Sequence, residues 1–189
     1  MNIQDDIKKA VEVMRQGGVI LYPTDTVWGI GCDATNAEAV AKVYKIKRRD
    51  DSKALICLVD SDVRLQRYIR NAPEVAWQVM ELATKPTTVI FDNAVNLAPN
   101  LIAEDGSIAM RITQEPFSKE LCYRFQKPIV STSANISGEP AAENYKDISA
   151  ELLDAVDYVC YSRRQEKKPH TPSNIIRIKA DGQVEIIRK

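Results

Sequence analysis

Val19-Ile20-Leu21-Tyr22-Pro23-Thr24-Asp25-Thr26-Val27-Trp28-Gly29 is the stretch whose reading decides the fold. Four apolar residues, β-branched and aromatic types among them, have the length and composition of a short buried strand. Pro23 closes it, because proline has no N–H to offer a ladder. Upstream, Ile3, Ile7, Ala10, Val11 and Met14 recur at helical spacing until Gly17-Gly18 stops the pattern. A helix feeding a buried strand that opens into hydroxyl residues is the pattern of an open α/β sheet, which places ligands beyond strand ends. Thr24 and Thr26 can hydrogen-bond a polar ligand, while Gly29 and Gly31 permit close backbone approach. A plain turn closed by Asp25 competes with that reading. Trp28 likewise has two readings, a reporter of ligand entry or a core residue.

Further along, Thr35-x-x-Glu38 has the form of a capping box and opens a helix through Val40, Val43 and Tyr44. Residues 54–59 are a strand-length apolar run. Residues 61–69 and 73–83 read as helices, and 87–91 and 107–112 as strands. Phe117, Leu121 and Phe125 mark a helix ending near Lys127-Pro128, and Ile129-Val130 begins another strand. A helix over 149–156 and a strand over 158–161 follow. Strands over 175–178 and 184–187 flank Asp181-Gly182, a hairpin-turn signal. With no internal repeat and no low-complexity linker, the pattern predicts one α/β domain over residues 1–189 on a mixed sheet.

Composition narrows the function classes. The chain has 189 residues, 26 cationic and 26 anionic, and 44% hydrophobic residues, too many for a disordered chain. No apolar run approaches the ~20 residues that cross a bilayer, and the N-terminus lacks a signal-peptide pattern. A soluble cytoplasmic protein is expected. Cys32, Cys57, Cys122 and Cys160 form no Cys-x-x-Cys pair and read as small buried hydrophobes. His170 is the only histidine, which excludes a His-rich metal site.

Three further segments carry chemistry. Residues 42–53 hold six cations and two anions, a local charge of +4 in a neutral protein. Such clustering suggests phosphate or nucleic-acid binding; a solvated helix end is the alternative. Ser131-Thr132-Ser133-Ala134-Asn135-Ile136-Ser137-Gly138 follows a strand directly and can offer hydroxyls and N–H groups to phosphate. Thr171-Pro172-Ser173-Asn174 enters the penultimate strand after Arg163, Arg164, Lys167 and Lys168, and by itself reads as a mobile basic loop.

In that order, Tyr22-Pro-Thr-Asp-Thr-Val-Trp-Gly29, Lys47-x-Arg49 with Lys53, and Ser133-x-Asn135 with Ser137-Gly138 resemble the signature of the YrdC/Sua5 family. The resemblance runs over nearly the whole chain, in the short single-domain form. It implies a twisted mixed sheet with flanking helices around a large basic concave cavity. It also implies L-threonylcarbamoyladenylate synthesis: L-threonine, bicarbonate and ATP give threonylcarbamoyl-AMP and pyrophosphate, for threonylcarbamoylation of the tRNA adenosine beside the anticodon. The resemblance places Thr26, Arg111, Ser131 and Ser173 at L-threonine. Arg49, Lys53, Ser107, Ser133 and Arg188 fall on the ATP side, and Lys47, Arg49, Ser133 and Asn135 form the catalytic set. Mg²⁺ is implied with the ATP, with no protein metal site, and hand-off to the threonylcarbamoyl-transferase machinery follows. Asp50, Ala54, Leu58, Thr84 to Thr88 and Thr113 depart from the usual pattern.

The chemistry suits these residue types. A threonine-derived carbamate is an anion and must attack an anionic α-phosphate, so fixed cations and donors matter more than a nucleophile. Arg can fork onto phosphate oxygens, whereas Lys supplies a compact charge. Two alternatives stand beside this reading. One is a double-stranded RNA or tRNA-binding module without chemistry. The other is the carbamoyl-adenylate domain of hydrogenase maturation proteins, whose accessory modules this sequence lacks.

Overall fold

The computed structural model describes residues 2–49, 55–167 and 171–189. Helix α1 (Ile3–Arg15) starts at Asn2, whose side chain accepts from the Asp5 N–H at 2.8 Å, and buries Ile7, Ala10, Val11 and Met14. Strand β1 (Ile20–Tyr22) follows and is buried throughout. The segment after the Thr24–Thr26 loop then forms a strand of its own, β2 (Gly29–Gly31), where the sequence pattern alone predicts loop. Gly-Ile-Gly has poor strand propensity. A Cβ on Gly31 would stand 2.5 Å from both the Tyr22 ring and the Val130 carbonyl, so only glycine lets three strands close up here.

Helix α2 (Ala37–Lys47) is capped by Asn36 rather than by the anticipated Thr35. Asp33 takes both the N–H and the hydroxyl of Thr35, at 2.8 and 2.7 Å. Asn36 Oδ1 then accepts from Glu38 and Ala39. Strand β3 (Ile56–Val59) leads into α3 (Asp62–Leu65), a single turn where a helix to residue 69 was expected. It stops because Ile69 pairs with Ala94 as an isolated bridge. Helix α4 (Glu74–Leu82), strands β4 (Thr87–Phe91) and β5 (Ile108–Ile112), helix α5 (Pro116–Phe125) and strand β6 (Ile129–Ser133) lie close to the expected bounds. Helix α6 (Ala150–Ala155) precedes the two-residue β7 (Tyr158–Val159). Strands β8 (Asn174–Ile178) and β9 (Val184–Arg188) form the terminal hairpin. Its turn runs over 179–183, between the expected strands, with Gly182 at φ +85°.

The strands make one mixed sheet in the order β7-β1-β2-β6-β3-β5-β4-β8-β9. Its two faces are unequal, and this inequality positions the site. Leu21, Ile30, Val130, Cys57, Val59, Met110, Val89 and Phe91 point to one face and pack with α2, α4 and α6 in the larger core. On the other face, α1 and α5 cover Ile20, Tyr22, Leu58 and Ile129. Along β6 and β5 that second face turns polar, with Ser131, Ser133 and Arg111. Trp28 is 5% exposed and tilts against Tyr145 at a ring distance of 5.2 Å, so it is a core residue. All four cysteines are buried and free. Among the described residues, no helix is long and apolar enough to cross a membrane.

Candidate active site

Arg111 organises the polar face. It sits on β5 opposite Leu58, and is 3% exposed. A buried guanidinium needs partners for its donors and a counter-charge. Asp25 supplies the charge: its Oδ1 accepts from Nε at 3.1 Å and lies 2.9 Å from Nη2 as an ion pair. Nη2 also donates to Thr26 Oγ1 at 3.1 Å, and Nη1 to Thr88 Oγ1 at 3.3 Å. Thr88 Oγ1 and Ser173 Oγ share a hydrogen bond of 2.8 Å. The Thr24–Thr26 loop is itself braced, since Thr24 Oγ1 accepts the Thr26 N–H and donates to the Val27 carbonyl. Three predicted threonine-side residues, Thr26, Arg111 and Ser173, therefore meet in one hydrogen-bonded chain drawn from three distant segments. Ser131, the fourth, points to the same face beside Gly29, where an added Cβ would lie 3.2 Å from its hydroxyl.

A second cluster lies at the end of α2. Arg48 ends the helix in the left-handed region at φ 49°, and the Arg49 N–H returns to the Tyr44 carbonyl, which turns the chain sharply. The Lys47 ammonium is buried. It donates to the carbonyls of Ser133 and Asn135 at 2.6 and 2.7 Å, and lies 3.5 Å from Asn135 Oδ1. Burial brings its pKa down to about 8, and the neighbouring Arg49 adds to the effect. The Asn135 amide donates to the carbonyls of Ile136 and Glu139, and the Lys47 carbonyl receives the Ser137 N–H. Lys47 and Asn135 thus hold the end of β6 that presents Ser133 and the loop after it, and here Lys47 acts as a clamp.

The remaining predicted residues are more scattered. Ser107 is buried just before β5, four residues from Arg111, or about 13 Å along an extended strand. It binds Asp105, whose carboxyl Ser107 and Arg177 together hold down at about 2. Arg188 donates from Nε and Nη2 to the Ser173 carbonyl at 3.1 and 2.7 Å, so it braces the threonine-side chain from the end of β9. Lys53, Asp50 and Ala54 lie outside the described residues. Among the departures, Leu58 packs in the smaller core. Thr113 donates its N–H to the Val59 carbonyl at 3.0 Å, a bond no proline could make. The sequence motifs give Asp25 and Thr88 no role in the site. The signal for Asp25 was available: a buried Arg111 demands a carboxylate, and Asp25 lies between two site threonines.

Fold and site together define a mixed-sheet α/β protein with an arginine-centred polar site on one sheet face, next to a loop built on a helix end. The chain belongs to the Sua5/YciO/YrdC family, described as "Telomere recombination", which it matches over residues 12–189. Threonylcarbamoyl-AMP synthase of Stenotrophomonas maltophilia is 37% identical over 154 residues, covering 80% of this chain and 83% of that protein. The protein of the same name from Pseudoalteromonas translucida is 34% identical over 161 residues, covering 84% and 86%. Among solved structures, E. coli YciO superimposes with a TM-score of 0.85 at 24% identity, covering 98% of this chain and 89% of that one. P. abyssi Sua5, solved with L-threonine, gives a TM-score of 0.82 at 21% identity; this chain covers 94% of itself and about half, 52%, of that protein.

Proposed function

We propose that the protein is a threonylcarbamoyl-AMP synthase, joining L-threonine, bicarbonate and ATP into threonylcarbamoyl-AMP with release of pyrophosphate. The observation that carries the reading is the chain Asp25–Arg111–Thr26 continued through Thr88 to Ser173. These are fixed donors and acceptors suited to a small zwitterion bearing a hydroxyl. Threonine carbamate and the α-phosphate repel, so the barrier falls when cations and donors are held in place beforehand. Arg49 is assigned to the phosphates as a bidentate fork, with Lys53, Ser107 and Ser133 as further nucleotide contacts. Lys47 and Asn135 hold the Ser133 loop to that geometry, and Arg188 fixes Ser173. No protein nucleophile is needed, and catalysis rests on orientation and electrostatics.

Mg²⁺ belongs to this reading as part of the substrate. It keeps much of its water and binds readily to nucleotide phosphates, where it neutralises charge. The product is a mixed carbamic–phosphoric anhydride, a reactive donor suited to prompt transfer onto a tRNA adenosine by a partner transferase. A diffuse RNA-binding surface fits less well. Of the cations over 42–49, Lys42 bonds the Gly17 carbonyl, Lys47 is buried, and Arg48 pairs with Glu151. The test is pyrophosphate release from the purified protein with ATP and Mg²⁺. Release that requires both threonine and bicarbonate is the expected result; equal ATP turnover without threonine refutes the assignment.

A further inference from the structure

The geometry points to Arg163 as a positioning residue for the amino-acid side of the site, holding the Thr24–Thr26 loop from behind while Arg111 holds it from the front. This rests on the threonine-side reading above. Arg163 Nη1 donates to the Thr24 carbonyl at 2.9 Å, across 139 residues of sequence. The same nitrogen lies 3.3 Å from Glu115 Oε1, and Nε bonds Glu166 Oε2 at 2.6 Å. Glu115 is itself fixed, because its carboxylate caps α5 by accepting from the N–H groups of Phe117 and Ser118. One guanidinium thereby ties the loop, the start of α5 and the segment after β7 together. Its planar fork can serve several acceptors at fixed angles, which an ammonium cannot reproduce.

The segment bearing Arg163 is held rigidly. Buried Asp6 of α1 accepts from the N–H groups of Tyr161 and Ser162 at 2.9 and 2.7 Å. Arg164 donates to the carbonyls of Cys160 and Val159 and stacks over the Tyr145 ring at 4.9 Å. Arg163 adopts a left-handed backbone at φ 63°, rare for a residue with a side chain, and among these contacts its guanidinium shares no hydrogen-bond acceptor with that of Arg164. The next residue after Thr24 is Asp25, the counter-charge of Arg111. Any slack at the Thr24 carbonyl passes directly to the Asp25 carboxylate and the Thr26 hydroxyl. Arg163 touches neither reactant; it acts through that loop.

The test compares Arg163→Lys, Arg163→Gln and Arg164→Gln in full-length protein, reading KM for threonine, KM for ATP, kcat, and calorimetric threonine affinity. Arg164→Gln removes the neighbouring guanidinium of the same segment, which Asp6 still holds, without touching Thr24. We expect both Arg163 variants to raise threonine KM and Kd by about tenfold, the loss of one charge-assisted bond felt at the ligand. Their kcat and ATP KM should stay within about twofold of wild type, and Arg164→Gln should leave all four quantities within the same margin. Lysine failing to rescue separates geometry from charge. Unchanged threonine constants in Arg163→Gln overturn the proposal. So does an equal rise in Arg164→Gln, or a parallel loss of ATP binding, either of which makes the effect one of general order. Absent synthesis in the wild type refutes the underlying functional reading instead, and the calorimetry still reports on Arg163.

Discussion

Asp25 and Arg111, 86 residues apart in the chain, form an ion pair at 2.9 Å with both partners almost withdrawn from water, at 11% and 3% side-chain exposure. A pair so placed has little net effect on stability while intact, because desolvation offsets attraction, but breaking it strands a buried charge. The pair is therefore better understood as a device for location. It fixes the guanidinium plane, and Asp25 carries its neighbours Thr24 and Thr26 into place.

Removing the carboxylate should expose that function and its energetic cost. Asp25→Ala is expected to lower unfolding free energy by about 3 kcal/mol, within the range for an orphaned buried ion. Asp25→Asn, which keeps an acceptor oxygen, should lose less. Urea unfolding of both variants checks this, and an Asp25→Ala midpoint equal to wild type removes the pair from the account.

Lys47 should titrate near pH 8, since burial and then Arg49 disfavour its ammonium. The folded value lies below that of the unfolded chain. Between about pH 8 and 10.5 the unfolded state thus binds a proton that the folded state lacks. Stability relative to a Lys47→Met variant should accordingly rise with pH across that window. Side-chain NMR of labelled lysine would give the midpoint directly, and Arg49→Gln should move it upward. A midpoint above 10 in the wild-type protein would contradict the buried clamp.

Thr88 and Ser173 share one hydrogen bond between β4 and the start of β8. Thr88→Val and Ser173→Ala should each weaken threonine binding, and the double variant should lose less than the sum, with a coupling of about 1 kcal/mol. Calorimetric titration of the four proteins closes the cycle. Strict additivity would mean that the two hydroxyls act independently.

The sequence carried the strand and helix pattern well where apolar periodicity was strong, as in α1, α5 and β5. It failed at β2, because Gly31 is there for close approach to Tyr22 and Val130, and Gly29 for approach to Ser131, tertiary demands that propensity does not encode. The helix expected over 61–69 shrank to one turn because Ile69 finds a strand partner in Ala94. For the site, the family resemblance groups Thr26, Arg111, Ser131 and Ser173, and the fold joins Thr26, Arg111 and Ser173 in one hydrogen-bonded chain. Motif order could not reveal that Lys47 points at backbone carbonyls, or that Arg188 reaches back to Ser173. Such partners are set by chain crossings, and only the folded backbone shows them. For the same reason the sequence alone shows Asp25 as a turn former and Arg163 as a loop cation.

Threonylcarbamoyl-AMP synthesis is tested by following the carbon of bicarbonate into the nucleotide product. Purified protein is incubated with ATP, Mg²⁺, L-threonine and ¹³C-labelled bicarbonate, and the product is analysed by mass spectrometry. The expected product is threonylcarbamoyl-AMP heavier by the single labelled carbon, formed in step with pyrophosphate and absent when threonine is omitted. An AMP or ADP product without that carbon, at the same yield with and without threonine, would contradict it.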